Sequence, residues 1–269
     1  MEPRNESHTS SLSLIVPVHG QVDTTKKFLA SFARQTVKCQ LTFVDDRSPD
    51  NTVQWLKENG WQVEVPKRRL WYNGILNMAI QSATTELIGI LNNDLILGKH
   101  FIEATIQSFE QTDYDILVPF TLPTPDHSQL DRQLDLKVVP LYRREGWCIL
   151  GRSTSLKKLP PIPSDDLRLW YGDTWLFHHA WRAGMKIGLM LHNRIYHEVS
   201  KTIQATQKEK NINPVIMTDM KVFKEKYSWL SKHKPLGLYK IFPPFIRSLL
   251  LPHYRIKGGS HKKVGTPIT

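Results

Sequence analysis

The sequence predicts an α/β fold in which a mostly parallel central sheet is flanked by helices. Two observations favour this fold. Short apolar segments alternate with amphipathic segments from residue 12 to residue 91, and polar or acidic residues directly follow several of the apolar segments. Strands that alternate with helices form parallel sheets with right-handed crossovers. Because ligands bind such sheets beyond the carboxyl ends of the strands, these polar residues indicate where a functional site is expected.

The elements follow in order along the chain. Leu12–Val18 and residues 41–44 are short apolar segments that predict buried strands. Between them, residues 24–35 place apolar side chains on one side of a helix, with Asp23 as the predicted N-cap. Gly184 is predicted to cap a later helix. The remaining predicted elements are helices at 51–58, 72–83, 173–183 and 214–226, and strands at 61–65, 86–91, 138–142 and 186–191.

The composition is that of an ordinary globular protein. Hydrophobic residues make up 40% of the chain and charged residues 23%, which argues against disorder and against a fibrous repeat. The two cysteines, Cys39 and Cys148, cannot form a disulfide framework and lack the C-x-x-C spacing of a zinc site. Neither a secretory signal nor the ~20 consecutive apolar residues that span a bilayer is apparent. We therefore expect a cytoplasmic protein.

The positive charge is concentrated at the C-terminal end. The chain carries a formal charge of +11, and no acidic residue follows Glu225, whereas eight Lys and Arg residues lie between Lys232 and the end of the chain. No nucleic-acid-binding motif accompanies them, so nucleic acid is not expected as a partner. Residues 236–251 are apolar but too short to span a membrane. This tail either lies on an anionic membrane surface, as a peripheral protein on the cytoplasmic face, or packs on the domain.

Two acidic residues follow the second predicted strand, in the segment VDDRSPDNT. At the end of a strand, the carboxylates of Asp45 and Asp46 can accept hydrogen bonds from a nucleotide base or ribose. The same segment also fits a turn and helix N-cap formed by Asp46, Ser48 and Asp50. Taken alone, the segment favours neither interpretation.

Three polar residues, Asn92, Asn93 and Asp94, interrupt the apolar segment ELIGILNNDLIL. Polar side chains at such a position need partners. A hard divalent cation bound through oxygen would satisfy Asp94 and would also hold the diphosphate of a nucleotide. The alternative is a simple Asn-Asn-Asp turn.

A further acidic residue lies at the predicted start of a helix. In WYGDTWLFHHAWRAG, Asp173 follows Gly172 and serves either as a catalytic base or only as an N-cap. Two tryptophans precede this helix, and an aromatic face suits the apolar side of a sugar ring. Trp147 and Trp170 therefore either bind a sugar acceptor or pack in the core.

Taken together, these segments resemble glycosyltransferase family 2, a group of inverting enzymes with the GT-A fold, and they occur in the order typical of that family. The resemblance also covers LSLIVPVHG, RRLW, NGILNMAIQSATTELIGILNND, EGWCILGRSTSLKKL and YHEVSKT, and it ends near DMKVFKEKYSW. It therefore spans roughly residues 12–229. It implies a GT-A fold in a single catalytic domain.

The resemblance also implies roles for individual residues. Asp45 and Asp46 match the acidic pair that contacts the donor base and ribose. Asp94 matches the acid that coordinates a divalent metal, Mn²⁺ or Mg²⁺, bound to the donor diphosphate, and His197 matches a histidine that closes over the metal or the diphosphate. Asp173 matches the catalytic base. The other positions assigned to donor binding are Pro17, Val18, His19, Asn73 and Asn93.

Three departures from the family pattern are apparent. Asn93 replaces an acid often found in the metal motif, which predicts weaker metal binding. Gly172 stands where an acid commonly precedes the base, which removes an aid to acceptor binding. Arg47 and Pro49 replace small residues after the acidic pair, so that this loop is either stiffer than usual or touches the donor.

These features predict a metal-dependent enzyme that transfers a sugar from a UDP- or dTDP-sugar to an acceptor hydroxyl. The expected acceptor is a growing surface glycan, free or lipid-linked. The expected domain covers residues 1–231, with a donor half at 12–120 and an acceptor half at 121–231, followed by the tail at 232–269. The alternative is a catalytically inactive protein that keeps the fold and binds nucleotide or carbohydrate. No G-x-G-x-x-G or P-loop motif supports a dinucleotide-binding enzyme.

Overall fold

The structure, a computed structural model, describes residues 11–142, 146–198 and 214–232. Within these ranges the chain forms a nine-stranded sheet flanked by helices. The basic tail, and with it the choice between a membrane surface and packing on the domain, lies outside the described residues. None of the helices in the described part is both long enough and apolar enough to cross a membrane.

The strands are short and mostly buried. They are β1 (Leu12–Val18), β2 (Gln40–Asp45), β3 (Gln62–Glu64), β4 (Leu87–Leu91), β5 (Leu95–Leu97), β6 (Ile116–Leu122), β7 (Val138–Pro140), β8 (Cys148–Arg152) and β9 (Ile187–His197).

The helices connect these strands and close the described part of the chain. They are α1 (Val22–Phe32), α2 (Thr52–Glu58), α3 (Trp71–Ser82), α4 (Phe101–Gln111), α5 (His127–Leu130), α6 (Ser153–Leu156), α7 (Gly172–Arg182), α8 (Pro214–Val222) and α9 (Trp229–Lys232), with a π-helical turn at Phe223–Tyr227.

The sheet has a parallel half and a mixed half. Its order is β3-β2-β1-β4-β8-β6-β9-β5, and β7 pairs with β9. Strands β3, β2, β1 and β4 are parallel, as the alternation of strands and helices predicts. Strand β8 runs antiparallel to both of its neighbours, β4 and β6, and β9 is antiparallel to β5 and β7 but parallel to β6. The predicted α/β class is confirmed, and the sheet is mixed rather than parallel throughout.

An apolar core packs helices α1 and α4 against the sheet. Phe28 of α1 and Phe101 of α4 are fully buried in one cluster with side chains of the parallel strands, such as Leu14 and Phe43. Such alternation of buried strands and amphipathic helices is the pattern from which the first half of the fold was predicted. Burying a side chain of this size contributes roughly 1.5–3 kcal/mol.

Helix α1 does not begin as predicted. Asp23 is not the N-cap, because it lies within the first turn and forms an exposed ion pair with Lys26 at 3.0 Å. The N-cap position belongs to Gln21, whose backbone is left-handed with φ 63°. A carboxylate in the first turn also interacts favourably with the helix dipole. The sequence pattern therefore does not distinguish an acidic N-cap at Asp23 from an acidic residue two positions after the N-cap.

Helix α7 ends as predicted. Gly184 has φ +73°, its N–H donates to the carbonyl of Trp181, and the next N–H, of Met185, donates to Ala180. This is the Schellman arrangement, which needs a left-handed residue and so favours glycine.

A buried carboxylate joins α8 to the segment that precedes α7. Asp219 of α8 is fully buried, and it accepts hydrogen bonds from three successive backbone N–H groups, those of Arg168, Leu169 and Trp170, at 3.0, 2.7 and 2.8 Å. Hydrogen bonds to an ionised acceptor are roughly twice as strong as neutral ones. Asp219 therefore fixes the path of the chain into α7.

We expect Asp219→Ala to destabilise the protein by about 3 kcal/mol, because three buried N–H groups lose their acceptor. Urea unfolding followed by circular dichroism measures the change. Asp23→Ala, which removes only an exposed ion pair, is the control and should leave the midpoint unchanged. Equal midpoints for the two variants would show that the Asp219 contacts do not stabilise the fold.

Candidate functional site

The predicted site residues meet at one edge of the sheet. Strands β1, β2 and β4 are parallel, and their carboxyl ends are Val18, Asp45 and Leu91. Val18 and Asp45 are paired in the sheet. The polar segments at 17–19, 45–46 and 92–94 therefore lie along the same edge, which is where ligands bind in sheets of this kind.

The carboxylate of Asp45 holds its own loop together. Asp45 is fully buried and accepts hydrogen bonds from the backbone N–H and the hydroxyl of Ser48. This turn also fastens the neighbouring loop, since Ser48 Oγ accepts from the N–H of Gly20 at 2.6 Å and Asp50 accepts from the N–H of Gln21 at 2.9 Å. The predicted turn in this segment is thus present with Ser48 and Asp50, but its first carboxylate is that of Asp45 and not that of Asp46.

Asp46 reaches in the other direction, to the start of α3. Only 4% exposed, its carboxylate accepts from the backbone N–H groups of Leu70 and Trp71 at 2.7 and 3.0 Å, and from Arg69 Nε at 3.3 Å. Its carbonyl oxygen lies 3.0 Å from Nδ1 of the exposed His19. Asp46 therefore sets the position of the 69–71 segment beside the predicted donor pocket.

A basic and aromatic wall borders this pocket. The Arg69 guanidinium lies 3.5 Å from the centroid of the Trp71 ring, and the Arg168 guanidinium lies 6.0 Å from it. Trp71 is held with φ 59°, a strained conformation for a bulky residue. Such strain persists only where surrounding contacts impose it, and Asp46 supplies one of them. The sequence analysis included RRLW in the resemblance but assigned these residues no role.

Asp94 and His197 come together at the end of β4. Asp94 Oδ1 lies 3.1 Å from His197 Nε2, and the two residues face each other because β5 and β9 pair Leu95 with His197. The side chains are 7% and 12% exposed. Neither atom has a hydrogen-bond partner of good geometry among the described residues, and the same holds for the buried Asn92 Oδ1. Buried polar atoms of this kind need a partner.

Trp147 packs on this pair. Its ring stacks on that of His197, with centroids 4.6 Å apart and planes inclined by 28°, and its carbonyl oxygen accepts from the N–H of Asn92. Asn93 points elsewhere, because its amide donates to Thr25 Oγ1 of α1 at 3.0 Å. In this conformation Trp147 thus supports the predicted metal ligand His197, and Asn93 anchors α1.

Tyr72 connects the Asp94 region with Asp173. Its hydroxyl donates to the carbonyl of Gly146 at 2.5 Å, and Gly146 packs directly against the Cβ of Asp173. Burial raises the pKa of Tyr72 far above its ordinary value, and the negative charge of Asp173 raises it further. The phenol therefore lies between the two predicted acids as a neutral donor.

Asp173 lies at the start of α7, as predicted. It is half-buried, and its Oδ1 accepts from the N–H of Thr174 at 2.6 Å. The N-cap position itself is Tyr171, with a left-handed φ of 65°. Asp173 is thus in the first turn of the helix and is not its N-cap.

Asn73, for which a contact with the donor was predicted, has a structural task. Its side chain is fully buried, and its amide donates to the carbonyls of Leu167 and Trp170 at 2.8 and 3.0 Å. A Cβ at Gly172 would lie 1.9 Å from Asn73 Oδ1. The glycine that departs from the family pattern is therefore required by Asn73, which occupies the space that an acidic side chain would need.

Trp170, predicted to bind the acceptor, is half-buried and packs edge-on against Tyr171, with ring centroids 6.2 Å apart. Its backbone is held by Asp219 and Asn73.

The sheet and its polar edge are those of the GT-A fold. A model of glycosyl transferase family 2 matches residues 13–166, more than half of the sequence, and the protein therefore belongs to this family. A search of curated proteins gave no match.

Three solved structures share the fold. GalNAc-T7, crystallised with UDP, GalNAc and Mn²⁺, superposes with a TM-score of 0.57 at 14% identity over 69% of this chain and 42% of its own. The mannosyltransferase PcManGT from Pyrobaculum calidifontis, in complex with GDP-Man and Mn²⁺, superposes with a TM-score of 0.57 at 15% identity. The match covers 81% of this chain and 68% of PcManGT. Residues 1–349 of S. aureus TarS superpose with a TM-score of 0.55 at 14% identity, over 86% of this chain and 76% of the TarS structure. The chain thus spans less than half of the first of these structures.

We expect Gly172→Ala to destabilise the protein by about 2 kcal/mol, since the new methyl group would overlap Asn73 Oδ1 and force the buried side chain to move. The same substitution in an Asn73→Ala background should cost much less, because the overlapping atoms are gone. Urea unfolding of the four proteins of this double-mutant cycle measures the coupling. Additive effects would show that the two residues do not compete for one space.

Proposed function

We propose that the protein is an inverting, metal-dependent glycosyltransferase that moves a sugar from a UDP- or dTDP-sugar to an acceptor hydroxyl of a surface glycan. Its family membership supports glycosyl transfer. The fold is shared with structures that contain UDP and Mn²⁺, or GDP-Man and Mn²⁺, and this supports a nucleotide-sugar donor and a divalent cation.

The observation that carries this proposal is the buried pair of Asp94 Oδ1 and His197 Nε2, 3.1 Å apart and without hydrogen-bond partners of good geometry in the described ranges. Two ligand atoms that share one cation at ordinary bond lengths of roughly 2.0–2.2 Å lie about this far apart. Asp94 and His197 therefore fit a divalent cation as two of its ligands. When bound, such a cation stabilises negative charge on the leaving diphosphate.

The protein offers only part of a metal site. In the described part of the chain, no group of three or more His, Cys, Asp or Glu side chains is placed to hold a metal ion. Divalent cations of this type take more ligands than two. We therefore propose that the donor diphosphate completes the coordination, so that cation and donor bind together.

The donor nucleotide is assigned to the region beside Asp46. Here Asp46 fixes the 69–71 segment, and Arg69 and Arg168 place positive charge near the Trp71 ring. Guanidinium groups and aromatic rings suit the planar base and the anionic phosphates of a nucleotide. His19 lies at the exposed rim of this region.

Asp173 is assigned as the base. The hydrogen bond from the Thr174 N–H and the packing of Gly146 against its Cβ orient the carboxylate. In the proposed reaction the acceptor oxygen bonds to the anomeric carbon as the bond from that carbon to the diphosphate breaks. The hydroxyl proton passes to the Asp173 carboxylate. Inversion follows because attack and departure take place on opposite faces of the sugar.

A second candidate is a binding protein without catalytic activity. This candidate is favoured by three polar groups of the predicted donor site, the carboxylates of Asp45 and Asp46 and the Asn93 amide. All three form hydrogen bonds within the protein. Such a protein would bind the nucleotide sugar without turning it over.

A panel of nucleotide sugars with Mn²⁺ or Mg²⁺, followed by release of nucleoside diphosphate, tests the proposal. Asp173→Asn should lower turnover by about 10²–10⁴-fold while leaving donor affinity unchanged, because only proton removal is lost. Asp94→Ala should lower both turnover and metal-dependent donor binding, the latter measured by calorimetry. Asp23→Ala is the matched control on the surface.

Full activity of Asp173→Asn would rule out Asp173 as the base. Donor binding by the wild type without release of nucleoside diphosphate, for every donor and with acceptor present, would favour the binding protein.

We also propose that the basic tail holds the protein on the cytoplasmic face of the membrane. This proposal rests on the composition of residues 232–269 alone, which combine apolar residues with eight basic ones. Truncation after Lys232 should abolish co-sedimentation with vesicles that contain anionic lipid. Unchanged co-sedimentation would contradict the proposal.

A further inference from the structure

A second cavity lies away from the candidate active site. It has a volume of about 200 Å³ and lies between α4, the segment around α5 and strand β9. Its walls include Phe101, Leu130, Arg132, Leu134, His192 and Arg194. Asp94 precedes the three-residue strand β5 and Gly98, another lining residue, follows it. The cavity and the Asp94–His197 pair are therefore at opposite ends of β5.

The cavity is built by an irregularity in β9. The pairing of β6 with β9 shifts between Pro119 and Phe120, which leaves three residues of β9 without partners in β6. Two of them line the cavity and are held firmly. Asn193 donates to the carbonyl of Phe101 and to Thr105 Oγ1 at 3.0 and 2.9 Å, and His192 Nε2 lies 3.0 Å from Ser108 Oγ. A bulge of this kind is a common way to redirect side chains.

The acidic groups near the cavity are already engaged. The carboxylate of Glu103 accepts from Thr36 Oγ1 at 2.9 Å and lies 3.1 Å from His100 Nδ1. Asp131 pairs with Arg34 and accepts from the N–H of Lys99. Neither carboxylate is therefore the counter-charge of an arginine in the cavity.

Two arginines thus face the cavity without a carboxylate partner in the described part of the chain, Arg132 and Arg194. Arg194 Nη1 donates to the carbonyl of Gln129 at 3.1 Å, but its buried Nε has no partner among the described residues. Burial, and then the charge of Arg132, lowers the pKa of Arg194. A buried cationic donor beside a like charge is costly unless an anion binds there.

The chemistry of the walls indicates the kind of anion. The guanidinium fork of arginine matches the oxygens of a phosphate and binds it through paired hydrogen bonds. The apolar side chains of Phe101, Leu130 and Leu134 suit an organic group attached to that phosphate. The volume is below the range of roughly 300–1,000 Å³ typical of sites for drug-sized ligands, which restricts the ligand to a small one.

We propose that this cavity is a second ligand site, in which Arg132 and Arg194 bind the phosphate of a small organic phosphate ester. The site is separate from the proposed donor site and does not depend on it. The phosphate group is the shared chemistry of a free metabolite and of a phosphate carried on an acceptor.

Calorimetric titration of the full chain with sn-glycerol 3-phosphate, in the presence of EDTA, tests the proposal. The wild type should bind, and Arg132→Gln should weaken binding by about tenfold or more through the loss of one charge-assisted contact. Arg132 is exposed, so that this variant should fold normally. Arg194→Lys, which keeps the charge but loses Nε, should also bind more weakly. Arg182→Gln, on the exposed end of α7, is the control and should bind like the wild type.

Two further arms test whether the organic group contributes to binding and whether the site is separate from the donor site. Weaker binding of inorganic phosphate than of glycerol phosphate would show that the organic group contributes to binding. Saturating UDP should leave glycerol phosphate bound, since the sites are separate. No binding by the wild type, equal binding by Arg132→Gln, or displacement by UDP would each overturn the proposal, and none of these outcomes decides whether the protein transfers sugars.

Discussion

The arrangement of the candidate active site depends on how the segment before α7 is held. Asp219 fixes three of its N–H groups from α8, and Asn73 binds two of its carbonyl oxygens from α3. Both side chains are fully buried, so these polar contacts are made in surroundings where a lost partner is expensive. The segment is thus held from two sides, and Asp173 begins the helix that follows.

Buried polar side chains also hold the backbone on the opposite side of the site. The Asp45 carboxylate closes the loop after β2, and the Asp46 carboxylate holds the start of α3. Tyr72, in the first turn of that helix, then fastens Gly146 against Asp173. Helix α3 therefore links the acidic pair at the end of β2 to the proposed base. Most of the buried carboxylates in this region position backbone, and Asp94 is the exception, since its Oδ1 faces His197.

Much of this fold was predictable from the sequence. The alternation of apolar and amphipathic segments predicted β1 to β4 and the helices between them, because each buried strand and each helix face carries a local pattern. Strand β9 was predicted to end at residue 191, yet it continues to His197. Polar residues at 192–194 break the apolar pattern there because they line the bulge and the second cavity. The burial of polar side chains depends on hydrogen-bond partners that are distant in sequence, and a local pattern does not reveal those partners.

The site was predicted less completely, for the same reason. Asp94, His197 and Asp173 were predicted from the family motifs, whereas the supporting contacts of Tyr72 and Asp219 arise only between distant segments. Asn73 was predicted to bind the donor, and its support of the segment before α7 was not predicted. Gly172, a departure from the family pattern, is explained by the same residue.

The replacement of a family acid by Asn93 bears on how the proposed cation would be held. Where family members often carry an acid, Asn93 donates a hydrogen bond to Thr25 and so joins the end of β4 to α1. The protein consequently presents one carboxylate, that of Asp94, to the proposed cation, with the imidazole of His197 beside it. A single carboxylate attracts a divalent cation weakly in water, whereas a diphosphate adds charge and oxygen ligands. Cation binding in this chain is therefore expected to be coupled to donor binding, and in this proposal His197, whose ring stacks on that of Trp147, is the second protein ligand of the cation.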